Sequence, residues 1–170
     1  MTREKALACM ASMLFALFMC ESAQATEISG TITATLTLVE DSRLVGDVTC
    51  TVTGATCIAI GAPGVKLDLN GFSITGVGDS RTGCGGAGVG TEFGIDVNMQ
   101  RDVVIRGPGL VQRFRGQGIR ILNSTGVTVT DVTASTNCFS GIFVNGGSDN
   151  VLQGNVSVRN GNLVNPCGGI

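Results

Sequence analysis

The 170-residue chain carries 26 Gly, 3 Pro and seven Phe but no Trp or Tyr, a balance that argues against a helical bundle and fits one modest domain of short strands and tight turns. Its formal net charge of −2 offers no bulk attraction to nucleic acid or to an acidic membrane. The chain contains no His, which excludes His-based acid–base catalysis, Ser-His-Asp triads and His metal sites.

Residues 1–25 read as an export signal peptide. Arg3 and Lys5 precede an apolar run over 6–19, and Ala23-Gln24-Ala25 supplies a small-x-small cleavage site, so cleavage is expected after Ala25. The run is shorter than the roughly 20 residues that span a bilayer, which disfavours a membrane anchor. A lipidated Cys20 is disfavoured because Met19 is too large for the position before it. The mature chain is therefore expected to be secreted or periplasmic, with no membrane association after cleavage and with disulfides able to persist.

Residues 26–56 form the next unit, an N-terminal first strand or cap, in which 31–39 alternates Thr with Ile, Ala and Leu. From 57 to 170 a repeat takes over. It appears as Gly94-Ile95-Asp96-Val97, Gly118-Ile119-Arg120-Ile121 and Gly141-Ile142-Phe143-Val144, then as Gly169-Ile170, at spacings of 24, 23 and 28 residues. Cys57-Ile58-Ala59-Ile60 is a degenerate earlier copy. A second alternating triplet follows each copy: Val65-Lys66-Leu67, Val103-Val104-Ile105, Val127-Thr128-Val129 and, more weakly, Val151-Leu152-Gln153. Its first Val lies 7, 8, 8 and 9 residues after the Ile. Alternation within each triplet predicts strands with one buried face. A period near 23 is too short for a strand–helix–strand unit of roughly 30 residues. The fold class is therefore all-β, a solenoid of about five stacked coils, each burying its apolar face against its neighbours. An antiparallel sandwich explains the alternation but not the repeated Gly-Ile register.

Residues 76–93 interrupt the repeat as a Gly-rich insertion. Its Gly83-Cys84-Gly85-Gly86-Ala87-Gly88 matches Gly-x-Gly-x-x-Gly in form but is followed by no helical pattern, so a dinucleotide site is rejected.

Stacking makes outward positions of successive coils neighbours. Asp96 is then beside Arg120 and Asp68 beside Arg106, pairs worth about 0.2–1 kcal/mol each. Asp131 and Asn155 share a coil position on this count, as do Asn137 and Asn160, and repeated turn Asn residues are expected to form ladders that satisfy backbone groups. The candidate ligand-binding residues are Arg113, Arg115 and Arg120, as a shallow anion- or sugar-binding face, and Phe143, which points outward by the alternation and can stack on a sugar. No run of paired acidic residues suggests a Ca²⁺ cage, and no cofactor is implied.

Seven Cys are present, two of them, Cys9 and Cys20, in the signal. Cys50 and Cys57 are expected to bridge. Cys138 and Cys167 lie just before their Gly-Ile pairs on adjacent coils and are the second expected disulfide. Cys84 pairs beyond Ile170 or takes one partner's place in that pair. No spacing matches a zinc motif.

The stretch Gly64-Val65-Lys66-Leu67-Asp68-Leu69-Asn70-Gly71-Phe72-Ser73-Ile74-Thr75-Gly76, and Val104-Ile105-Arg106-Gly107-Pro108-Gly109 running on to Gly118-Ile119, resemble the opening coils of secreted bacterial right-handed parallel β-helix proteins of the pectate-lyase-like superfamily. The resemblance spans 28–170 and implies the right-handed parallel β-helix. It does not choose an activity, since that superfamily hosts lyases, hydrolases, epimerases and phage adhesins. The Gly-His-Gly segment of its polygalacturonase-like branch is absent here, and so is any Tyr proton donor. Arg106-Gly107-Pro108 echoes the Arg-x-Pro of a pectate-lyase motif, but Val111 stands where its second Arg belongs. No catalytic residue is therefore assigned. Because the sequence stops on the first two residues of a new coil, it reads as the N-terminal part of a longer protein. The expected function is a secreted module that recognises a polysaccharide or another cell-surface component. The alternatives are the scaffold of a polysaccharide lyase or hydrolase whose active site lies in further coils, and a purely structural surface protein.

Overall fold

The alternating triplets form strands. The structure, a computed structural model, describes residues 24–85 and 90–161. The expected leader lies outside these residues except for Gln24 and Ala25, as do Cys167 and Gly169-Ile170. Among the described residues there are thirteen strands and no helix. They are β1 (Thr26–Ile32), β2 (Leu36–Leu38), β3 (Ser42–Cys50), β4 (Ile58–Ile60), β5 (Lys66–Asp68), β6 (Ser73–Thr75), β7 (Ile95–Asn98), β8 (Val104–Gln112), β9 (Ile119–Leu122), β10 (Thr128–Ser135), β11 (Ile142–Asn145), β12 (Val151–Gln153) and β13 (Val156–Val158).

All strand pairings are parallel and fall into two sheets. One sheet runs β2-β4-β7-β9-β11; the other runs β1-β3-β5-β8-β10-β12, with β6 and β13 extending it. In the five-stranded sheet, Leu36, Ile58, Ile95, Ile119 and Ile142 stand in register as one inward column. Its four isoleucines are fully buried, each stabilising by about 1.5–3 kcal/mol relative to exposure. The Gly-Ile repeat is thus a physical column.

Its glycines have a steric cause. A Cβ on Gly94 would lie 2.5 Å from the Gly118 carbonyl oxygen, and one on Gly118 would lie 2.6 Å from that of Gly141. Each of these carbonyls accepts the N–H of the preceding coil's isoleucine at 2.9 Å, so neither can retreat. Cys57 fills the same position one coil earlier, where its side chain is spent on the bridge to Cys50.

Residues 26–56 are part of the stack. β1 pairs with β3 in the larger sheet, and β2 pairs with β4 in the smaller. Each coil also carries a third strand segment, seen as β6, the end of β8, the end of β10 and β13, beyond the two triplets that the alternation reveals. Its inward column is Val48, Ile74, Val111, Ala134 and Ser157, a single inward position per coil with mostly polar flanks.

In the last described coil the expected register is corrected by one residue. Thr128 pairs with Val151, so Asn150 rather than Val151 is the counterpart of Val127. Asn155 likewise faces Val132, and Asp131 faces Gly154. Asn replaces an apolar residue at these points because its side chain bonds the coil below. Asn137, Asn150, Asn155 and Asn160 each accept the backbone N–H 23 residues earlier, at 2.9–3.0 Å. Each also donates to the carbonyl 26 residues earlier, at 2.8–3.3 Å. The Asn137–Asn160 ladder is the one the repeat predicts. Turns repeat as well: Gly64, Asp102, Gly126 and Asp149, all left-handed at φ 57–75°, each precede the first residue of a second triplet or its counterpart.

Candidate functional site

The outer face of the five-stranded sheet gathers the most chemistry. Alternation turns Thr37, Ala59, Asp96, Arg120 and Phe143 outward in one register column while the isoleucines point inward. Arg120 grips Asp96 with both arms of its fork, Nε to Oδ1 at 2.8 Å and Nη2 to Oδ2 at 2.7 Å. Its Cζ lies 4.0 Å from the centroid of the Phe93 ring. The two charged side chains retain only 22% and 14% of their exposure, so water screens the pair weakly. Phe143, half-buried, stands next to Arg120 on β11. The half-exposed Phe143 thus neighbours the fixed donors and acceptors of the Arg120–Asp96 pair. The remaining N–H groups of Arg120 and the second lone pairs of Asp96 can bond neutral hydroxyls.

The three candidate arginines do not form one face. Arg113 and Arg115 occupy the corner after β8 and hold Gly78 and Glu92, near the two ends of the insertion. Arg113 is left-handed at φ 61° and donates from Nε to the Gly78 carbonyl at 3.2 Å. Arg115 makes a two-armed bridge to Glu92, 2.6 Å on each arm, and Glu92 also accepts the Gly54 N–H at 2.7 Å. Glu92 is 3% exposed, a buried charge satisfied by this pairing. Arg120 is thus the one of the three on the outward column, and only Phe143 of the other candidates lies beside it. The expected Asp68–Arg106 and Asp96–Arg120 pairs both form. Phe93 and Glu92 were not legible as partners, because their position depends on the path of the insertion rather than on the repeat.

Cys50 and Cys57 form the expected disulfide. Cys138 bonds Cys84, with a Cα–Cα distance of 5.6 Å, and not Cys167. The insertion runs back over later corners: Gly78 N–H reaches the Arg113 carbonyl, and the Ser80 hydroxyl reaches the Arg159 carbonyl. That path brings Cys84 onto the corner that carries Cys138. Two disulfides suit an oxidising compartment. Among the described residues no group of three or more His, Cys, Asp or Glu is placed to hold a metal ion, and no helix is long and apolar enough to cross a membrane. No protein-family model, curated protein or solved structure matches the chain.

Proposed function

We propose that the chain is a secreted right-handed parallel β-helix, similar to the first coils of the pectate-lyase-like superfamily, and that it recognises a polysaccharide or another surface glycan. The right hand is the rule for parallel strands joined by a crossover, and the in-register parallel sheets support a solenoid. The observation that carries the recognition reading is the outward patch of Asp96, Arg120 and Phe143. It joins a stacking surface to fixed hydrogen-bonding groups on a rigid sheet. The structural alternative draws on one observation: both forks of Arg115 and Arg120 are already filled by carboxylates.

The test is a binding and turnover screen of the whole chain against a polysaccharide panel, with and without Ca²⁺, beside Phe143→Ala. Recognition predicts binding without turnover, weakened about tenfold by Phe143→Ala, a loss of roughly 1.4 kcal/mol, with the melting temperature little changed. Equal binding by both chains moves the site off this face. No binding by a folded chain leaves the structural reading.

A further inference from the structure

Arg43 and Arg106 are held differently from Arg115 and Arg120. They stand in one outward column of the larger sheet, in the order Glu27, Arg43, Asp68, Arg106. Each touches its carboxylate through Nη2 alone, Arg43 on Glu27 and Arg106 on Asp68. Their side chains keep 46% and 63% of their exposure, and among the described residues the rest of each fork is uncommitted. Lys66 on β5 is exposed, and its ammonium has no carboxylate partner among the described residues. All three cations line one hollow of about 220 Å³. Asp41 and Asp68 also line it, but Asp68 is engaged by Arg106, and Asp41 Oδ1 accepts the Lys66 backbone N–H at 2.8 Å. Val104 adds an apolar wall. With Glu27 on Arg43, three cations meet three carboxylates, so the charges balance; what sets this concave site apart is the Lys66 ammonium and the arginine N–H groups left over from the two one-armed pairs.

We propose that this hollow binds a small oxyanion, a carboxylate or a phosphate, held by the Lys66 ammonium and the free N–H groups of Arg43 and Arg106. Asp68 acts as a positioning residue for Arg106. The site lies on the other sheet from the Asp96–Arg120 patch and does not rest on the glycan reading.

The whole chain is titrated separately with inorganic phosphate and with glucuronate, following backbone and side-chain NMR shifts. The expected result is saturable binding of at least one probe, with a Kd of about 1 mM, and shifts centred on Lys66, Arg43 and Arg106. Lys66→Met and Arg106→Gln, at exposed positions, each weaken it about tenfold, while Arg81→Gln on the insertion leaves it unchanged. Saturation by phosphate alone identifies a phosphate site, and saturation by glucuronate alone a carboxylate site. Failure of both probes to saturate by about 50 mM overturns the proposal. So does an equal loss in Lys66→Met and Arg81→Gln, because the attraction is then diffuse.

Discussion

Arg120 and Arg106 occupy outward positions of different sheets, and each meets an aspartate one coil away. Their surroundings make them unequal. Arg120 is two-armed, stacked on Phe93 and mostly covered, whereas Arg106 makes one contact from an exposed position. Lysine preserves the charge but not the fork or the flat stacking surface. Arg120→Lys should therefore cost about 1–2 kcal/mol in chemical denaturation, and Arg106→Lys less than about 0.5 kcal/mol. Equal costs would show that the stacked, two-armed geometry adds nothing. Asp47 provides a separate check. The Ser73 backbone N–H and then its hydroxyl donate to Oδ1, at 2.8 and 2.9 Å, and hold the Asp47 carboxyl below its ordinary value. A carboxyl lowered in the folded state adds stability above its unfolded value and loses it as pH falls through the folded one. In NMR titration Asp47 should ionise below the ordinary aspartate range, and Ser73→Ala should move it part of the way back.

At the scale of elements, most of the repeat was readable because each position has a single physical cause. The isoleucines fill an inward column, and the glycines are the residues that let neighbouring carbonyls approach. Gly118→Ala places a methyl group 2.6 Å from the Gly141 oxygen and 2.7 Å from Asn137 Nδ2, and should cost about 1–3 kcal/mol by overpacking. Reading failed where a side chain does backbone work. Asn150 stands where earlier coils carry Val, so a search for apolar alternation slips to Val151. Asn137 shows what that exchange is worth. It is fully buried, accepts the Phe114 N–H and donates to the Val111 carbonyl. Asn137→Ala strands both groups and should cost at least about 2 kcal/mol in thermal or chemical unfolding, well above an Ala substitution at an exposed Asn such as Asn145. A loss no larger than at Asn145 would mean that water replaces the ladder.

Over the whole molecule, the insertion is the feature a period cannot predict. Repetition places Cys138 near Cys167 because it compares equivalent corners of adjacent coils. The chain at 76–85 leaves the repeat, crosses corners at Arg113, Cys138 and Arg159, and delivers Cys84 instead. The consequence is a difference between the two bridges. Cys50–Cys57 spans a separation of 7 residues and restrains a short corner, whereas Cys84–Cys138 spans 54 and ties the insertion to a coil well beyond it. Closing the longer loop removes more freedom from the unfolded chain, about 4 kcal/mol on the chain-entropy account. The double variant Cys84→Ser/Cys138→Ser should therefore melt lower than Cys50→Ser/Cys57→Ser. The Glu92–Arg115 bridge remains in the first variant and keeps the insertion from detaching altogether. Non-reducing peptide mapping provides the prior test: a Cys84–Cys138 peptide is expected, and a Cys138–Cys167 peptide would overturn the strap and the stability order that follows from it.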